Sequence, residues 1–144
     1  MKAFLSFSNM ALLHIEHIGI AVKNLDEATH RYQQLLGVAP YRREDVPSEG
    51  VTTVFFKVGE NKIELLGATS EHSPVAQFLA KRGEGIHHIA YRTDDIRKEM
   101  QRLKQEGFRV LSEEPKKGAE NMWVCFIHPK DAQGVLTELC QPKS

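Results

Sequence analysis

The sequence has no excess of charge, little cysteine and no long apolar run. Its 144 residues include 19 Lys plus Arg and 19 Asp plus Glu, so the formal net charge is zero. A balanced charge argues against binding nucleic acid through a basic surface. No stretch approaches the roughly 20 apolar residues that a membrane-spanning helix needs. We therefore expect a globular protein of ordinary composition that binds neither nucleic acid nor a membrane.

The two cysteines, Cys125 and Cys140, both have apolar neighbours in the sequence. Two cysteines cannot supply a disulfide framework, so we expect buried, reduced thiols and a cytoplasmic location. The segment 1–10 lacks a convincing signal-peptide cleavage site, and we predict that it is a flexible leader. The remaining residues, 11–144, have the length of a single domain.

The sequence contains an internal repeat. The run HIGIAV begins at His17, and the related run HIAYRT begins at His88, 71 residues later. A helix-start residue follows each run, Asn24 in the first copy and Asp95 in the second. A repeat of this length indicates duplication of one supersecondary unit.

Each copy of the repeat predicts a strand, a helix and three further strands. Alternating apolar residues predict the strands, and apolar residues at i, i+3 and i+4 predict the helices. The predicted strands are 15–22, 41–46, 51–58, 61–66, 86–93, 109–112, 122–128 and 134–140, and the predicted helices are 25–36, 73–82 and 95–106. We therefore predict an α+β fold in which two paired βαβββ modules, about 15–68 and 86–141, form a concave sheet around a cleft. A linker helix over 73–82 connects them.

The two repeated histidines are the first candidates for chemistry. On their strands His17 and His88 have only small neighbours on the same face, and one glutamate follows each of them, Glu64 in KIELL and Glu138 in VLTEL. A single such residue is commonly structural, but the repetition favours a shared role. A cation would offset the cost of burying the carboxylates. We predict one divalent ion per chain, Co²⁺, Ni²⁺, Mn²⁺ or Zn²⁺, bound by these four side chains in an open, catalytic site.

His87 is a weaker candidate than its neighbour. Strict alternation places His87 on the strand face opposite to His88, so we interpret it as a packing or hydrogen-bonding residue. His128 precedes Pro129 at the end of a predicted strand, and we interpret it as a turn residue.

Several motifs carry a resemblance to a known family. They are HIGIAV from His17, KIELL from Lys62, RGEGIHHIA from Arg82, HPKD from His128 and GVLTEL from Gly134. With them, residues 15–141 resemble the methylmalonyl-CoA epimerases of the vicinal oxygen chelate superfamily. The paired strand motifs are typical of the whole superfamily, which includes glyoxalase I and extradiol dioxygenases. The RGEGIHH run and the HPK and GVLTEL segments are more specific to the epimerases.

The resemblance implies interconversion of (R)- and (S)-methylmalonyl-CoA, a step of propionate metabolism and branched-chain amino acid degradation, by a homodimer. It implies that the metal chelates the substrate and stabilises the enolate formed when the α-proton leaves. The substrate would be an acyl-CoA. We predict that Lys116, Lys117, Gly118 and Lys130 contact it, with the lysines near the CoA phosphates.

The sequence departs from the family at two places. Thr53 occupies the position where some epimerases have a glutamate base, and those members have glutamine in place of Glu64. Because threonine cannot accept a proton at neutral pH, we hypothesise that Glu64 and Glu138 are both catalytic bases, as the two carboxylate ligands are in the similar glyoxalase I. The second departure is Glu120-Asn121, where the family often has glycines.

Two alternatives remain at this point. A glyoxalase I-like lyase acting on a glutathione hemithioacetal would use the same His/Glu/His/Glu ligands. A metal-independent binding module, such as the antibiotic-sequestering proteins of the superfamily, would generally lack the full ligand set.

Overall fold

The computed structural model describes residues 11–143, so the predicted leader at 1–10 lies outside the described residues. The strands are β1 His14–Val22, β2 Arg42–Val46, β3 Val51–Val58, β4 Asn61–Ala68, β5 Gly85–Arg92, β6 Lys116–Lys117, β7 Met122–Ile127 and β8 Leu136–Pro142. The helices are α1 Leu25–Leu36, α2 Pro74–Arg82 and α3 Ile96–Gln105. The predicted α+β class is confirmed. Within the described range, no helix has the length and apolar character needed to cross a membrane.

The eight strands form one curled sheet in the order β2-β3-β4-β1-β5-β8-β7-β6. The first repeat supplies the four strands on one side, and the second repeat supplies the four on the other. In each half the first strand pairs in parallel with the last, β1 with β4 and β5 with β8. The halves are joined by the antiparallel pairing of β1 with β5. The two repeated first strands therefore lie side by side at the centre of the sheet.

Side-chain caps determine where the three helices begin. Asn24 accepts a hydrogen bond from the amide of Glu27, and Ser73 and Asp95 cap α2 and α3 in the same way. Helix α1 ends at Gly37, whose φ of 73° suits a residue without a side chain. The observed bounds agree with the predicted helices to within one residue at each end.

The apolar core separates the helices from the open side of the sheet. Helix α1 packs on a cluster that includes Val54, Phe56 and Leu65, and α3 packs on a cluster of Cys125, Ile127 and Leu139. Because side chains alternate along a strand, the intervening residues of β3 and β4 face the other side, away from α1. The prediction of buried, unpaired cysteines is confirmed, since Cys125 and Cys140 are both buried and free.

The predicted strand over 109–112 is wrong. Val110 makes only an isolated bridge to Ile127, and the edge strand is the later pair Lys116–Lys117, which pairs with β7. Asp131 binds both the backbone amide of Arg109, at 2.8 Å, and its guanidinium group. An amide bound to a side chain cannot pair in a ladder, so the segment lies beside β7 with a single bridge and does not form a strand.

Candidate metal centre and active-site cavity

The open side of the sheet encloses a cavity of about 620 Å³ between the two halves. This volume is within the usual range for small-ligand sites. Its lining includes the four predicted ligands and, among the predicted substrate contacts, Lys116, Lys117 and Gly118. Lys130 is not among the lining residues; it lies exposed in the turn Pro129–Ala132.

The four predicted ligands converge on one point at the base of this cavity. The Nε2 atoms of His17 and His88 are 3.1 Å apart. Oε1 of Glu64 is 3.3 Å from each of these nitrogens. Oε1 of Glu138 is 3.5 Å from His17 Nε2 and 3.2 Å from His88 Nε2. None of the four residues is more than 6% exposed, so water cannot readily satisfy these polar groups.

The strand register explains this convergence. Parallel pairing places Glu64 opposite Gly19 on β1, and Gly19 lies opposite His88 on β5. A Cβ atom on Gly19 would lie 2.1 Å from the ring of His88, so only glycine leaves room for the imidazole. In the second half Ala90 takes the equivalent position between His17 and Glu138. The small neighbours noted in the sequence therefore provide the space for the ligand side chains.

The residue before each ligand histidine contacts that histidine's second ring nitrogen. Oε1 of Glu16 is 2.7 Å from Nδ1 of His17, and Nδ1 of His87 is 2.9 Å from Nδ1 of His88. Both residues line the cavity, so the prediction that His87 points away from His88 is wrong. The cause is a pair of register shifts between β1 and β5, one at Glu16 and one at His87, where alternation breaks down.

These contacts leave the Nε2 atoms of both histidines free to bind a metal. Burial would raise the pKa of Glu16, but hydrogen bonds from His17 and Lys62 lower it to about 2, so Glu16 is ionised and accepts the Nδ1–H of His17. Burial, together with the charge of His88, lowers the pKa of His87 to about 4. A neutral His87 can accept the Nδ1–H of His88. When the two ligand imidazoles are neutral, each Nε2 has a lone pair directed at the centre.

The carboxylates complete a set that suits a divalent ion. Burial alone would raise the pKa of Glu64 and of Glu138, but hydrogen bonds and charge from His17 and His88 hold both below their ordinary values. Adjacent ligands around an ion with bonds of about 2.1 Å are separated by about 3 Å, close to the distances observed in this cluster. Two imidazoles and two carboxylates thus fit one divalent metal of borderline hardness. The ligand atoms of His17, His88 and Glu138 all lie within 4.8 Å of one another, and Glu64 joins this group through its 3.3 Å contacts with the two histidines.

Glu16→Gln is expected to weaken metal binding by about tenfold without unfolding the protein, since partners of ligand histidines typically contribute about 10- to 100-fold in affinity. Glutamine retains an acceptor but lacks the negative charge that orients the imidazole. Competition with a metal-sensitive dye would measure the affinity. Glu71→Gln, at an exposed residue, is the matched control. An unchanged affinity in Glu16→Gln would contradict this role.

A second polar network connects the two halves across the cavity. The Lys62 ammonium is 2.5 Å from Glu16 and 2.9 Å from Glu120, and the Tyr41 hydroxyl donates to Glu120 at 3.0 Å. Glu120 and Asn121 each have a φ of 57°, a left-handed conformation that glycine adopts most easily. This conformation explains why glycine suits the position, and the contacts of Glu120 offset the strain in this chain.

Sequence reasoning missed three groups that line the cavity. Glu16 and His87 were missed because alternation assigns them to the wrong face, although their place directly before the repeated histidines was a signal. Glu49, in the turn Pro47–Glu49, was missed because a short polar turn carries no periodic pattern.

Comparison with known proteins agrees with this geometry. The family model described as Glyoxalase/Bleomycin resistance protein/Dioxygenase superfamily matches residues 16–126. The chain is 46% identical over 129 residues to the ethylmalonyl-CoA/methylmalonyl-CoA epimerase of Cereibacter sphaeroides, covering 88% of this chain and 96% of that protein. It is 41% identical to human mitochondrial methylmalonyl-CoA epimerase, covering 88% of this chain and 73% of that protein.

A solved structure shows the same relationship. Methylmalonyl-CoA epimerase of Streptomyces coelicolor, in complex with 2-nitronate-propionyl-CoA, has a TM-score of 0.89 and 37% identity, covering 92% of this chain and 99% of that one. The lactoylglutathione lyase of Neisseria meningitidis is more distant, at 25% identity over 132 residues. The chain belongs to the glyoxalase/bleomycin resistance protein/dioxygenase superfamily.

Proposed function

We propose that this chain interconverts (R)- and (S)-methylmalonyl-CoA by removing and returning the proton α to the thioester carbonyl. The observation that carries the proposal is the converging His/Glu/His/Glu cluster at the base of an open cavity. The relatives named as epimerases, at 41–46% identity over most of the chain, support the choice of substrate.

The metal ligands in this proposal are His17, Glu64, His88 and Glu138. A divalent ion held there, Co²⁺, Ni²⁺, Mn²⁺ or Zn²⁺, would act as a Lewis acid that stabilises negative charge on the thioester oxygen. The hydrogen bond from His17 to Glu16, whose other carboxylate oxygen contacts Lys62, keeps the imidazole of His17 in the orientation that ligation requires. The apolar side chains Val51 and Phe55 line the same cavity and would exclude water from the enolate.

The proton itself must be moved by side chains of the chain. Removing the α-proton gives a planar enolate, and inversion requires that a proton return from the opposite face. The sequence predicts Glu64 and Glu138 for this role. Because the pKa of each is held low by His17 and His88, both are ionised at neutral pH, which suits removal of a proton better than delivery.

We place the CoA portion of the substrate at the mouth of the cavity. Lys116 and Lys117 are exposed there and Gly118 lies beside them, so two positive charges would meet phosphate groups. Lys130 lies outside the cavity lining. In this proposal it contributes only its positive charge. We further propose that the protein is a homodimer that acts in propionate metabolism and branched-chain amino acid degradation. The free thiols Cys125 and Cys140 support a reducing compartment, the cytoplasm.

The metal-loaded protein is expected to exchange the α-hydrogen of methylmalonyl-CoA for deuterium in D₂O and to equilibrate the two epimers. Mass spectrometry would follow the exchange, and chiral analysis would follow the inversion. The same preparation is expected to form no lactoylglutathione from the methylglyoxal–glutathione adduct. Turnover of that adduct without exchange of methylmalonyl-CoA would replace the epimerase with the lyase alternative.

A further inference from the structure

The turn Pro47–Glu49 brings an additional carboxyl group to the cavity. Glu49 is half-buried and lines the same cavity as the ligand cluster, and Gly50, with a φ of 66°, reverses the chain directly after it. The turn lies between β2 and β3, in the first half of the molecule. Glu138 is on β8, in the second half, so the two carboxyl groups approach the cavity from different halves.

Glu49 differs from the other glutamates that line the cavity. Those are Glu16, Glu64, Glu120 and Glu138. Each of these four is bound to a histidine or a lysine: Glu16 to His17 and Lys62, Glu120 to Lys62, and Glu64 and Glu138 to both ligand histidines. Within residues 11–143, Glu49 is affected by burial and by charges at a distance rather than by a hydrogen bond. Its carboxyl group is therefore available to a ligand in the cavity.

Strand β3, which follows the turn, offers no such group. Thr53 is 1% exposed, its hydroxyl donates to the carbonyl of Glu44 at 3.4 Å, and it does not line the cavity. Its neighbours on the same strand face, Val51 and Phe55, are apolar. Of the turn and strand β3, the turn alone brings a carboxyl group to the cavity.

We infer that Glu49 is a catalytic acid/base that works as a pair with Glu138, each exchanging the α-proton on one face of the substrate. The inference rests on the proposed epimerase function. One carboxylate takes the α-proton, and the C–H electron pair passes into the thioester carbonyl to form the enolate. The carboxylic acid of the partner then gives its proton to the same carbon from the other side, and the O–H electron pair remains on that carboxylate. One proton leaves and one is returned, with no net oxidation or reduction.

The surroundings of Glu49 raise the pKa of its carboxyl group, which suits a group that exchanges protons. Burial, followed by the negative charges of Glu138 and Glu64, raises the pKa of Glu49 to about 7, against the opposing effects of His88 and Lys116. Near neutral pH its carboxyl group is therefore present in both protonation states. A carboxyl group that is present in both states can remove a proton or return one, as inversion requires of the group on each face.

Glu49→Gln tests the inference, with Glu60→Gln in the exposed β3–β4 turn as the matched control. Each enantiomer of methylmalonyl-CoA would be incubated separately with metal-loaded protein in D₂O. Inversion is expected to fall by about 100- to 1,000-fold in Glu49→Gln, the usual contribution of one acid/base group. One enantiomer is expected to keep exchanging its α-hydrogen without inverting, because Glu138 still serves its face. Metal content should equal that of wild type.

The outcomes separate this inference from the function on which it rests. Absence of exchange in wild type would reject the epimerase function itself. With an active wild type, unchanged inversion in Glu49→Gln would overturn the inference, as would loss of exchange with both enantiomers accompanied by metal loss. If Glu49→Gln failed to fold, Glu49→Asp, which keeps the carboxyl group but withdraws it by one methylene, should show reduced inversion; full activity there would overturn the inference.

Glu64→Gln distinguishes Glu49 from the base that the sequence predicts. We expect Glu64→Gln to bind metal more weakly but, once saturated with metal, to invert both enantiomers. One-sided exchange in Glu64→Gln, with normal inversion in Glu49→Gln, would assign the second base to Glu64 and overturn the inference.

Discussion

His88→Ala is expected to reduce epimerisation by about 1,000-fold or more and to yield protein without a stoichiometric divalent ion. Metal stabilisation of the transition state contributes several kcal/mol, and each 1.36 kcal/mol corresponds to about tenfold in rate. The His88 Nε2 atom lies 3.1–3.3 Å from the ligand atoms of His17, Glu64 and Glu138. Removal of the His88 imidazole therefore disrupts the contacts of all three other ligands.

The matched control for this change is His72→Ala. His72 is 88% exposed and makes only a 3.9 Å contact with Glu71, so activity and metal content should match wild type. Elemental analysis of protein purified without chelators, together with circular dichroism, would separate loss of metal from loss of fold. A folded His88→Ala variant that retained both its metal and its activity would reject the assigned ligand set.

Removal of the metal by a chelator is expected to abolish activity and to lower the melting temperature by roughly 5–10 °C relative to protein in excess metal. At a metal concentration of about 100 Kd, binding stabilises the folded state by about 2.7 kcal/mol, and each kcal/mol shifts the melting temperature of a chain this size by a few degrees. Adding the ion back should restore both properties. The melting temperature of His88→Ala should not respond to either treatment.

The metal-free protein is expected to take up protons at the vacated ligands. Burial would lower the pKa of His88, but hydrogen bonds and charge from Glu138 and Glu64 raise it to about 9, and the pKa of His17 is also raised well above its ordinary value. Below these values the imidazoles are protonated, and a protonated imidazole cannot ligate. Metal affinity should therefore rise with pH up to about pH 9, with proton release on binding. Calorimetry in buffers of different ionisation enthalpy would detect the released protons, and a pH-independent affinity would contradict this account.

The agreement between sequence and structure is greatest where the chain repeats regular patterns. The three helices follow from apolar spacing and from the caps Asn24, Ser73 and Asp95, which act over a few residues. The ligands can be predicted because His17 and His88 occupy equivalent places in the two copies of the repeat. The structure brings these and their glutamates together because both copies form the same parallel pairing and their first strands are adjacent.

The disagreements occur where the patterns are interrupted. The two register shifts between β1 and β5 rotate Glu16 and His87 toward the cavity, and a bulge depends on the partner strand as well as on the local sequence. The segment 109–112 failed as a strand because Asp131, 22 residues after Arg109, takes the backbone amide that a ladder would need. Glu49 lies in a turn whose direction relative to the cavity is decided by chain segments distant in sequence.

The α+β duplication, the helix bounds and the four candidate ligands can be predicted from the sequence, because they depend on periodicity, local capping and internal repetition. Three features of the site emerge only when the chain is folded. The carboxylate oxygens of Glu64 and Glu138 lie within 3.5 Å of the two ligand nitrogens, which are themselves 3.1 Å apart. Glu16 and His87 bind the ligand histidines, and Glu49 lines the same cavity as Glu138. The conformation of an element depends on the local chain, whereas strand register and sheet curvature determine which side chains meet.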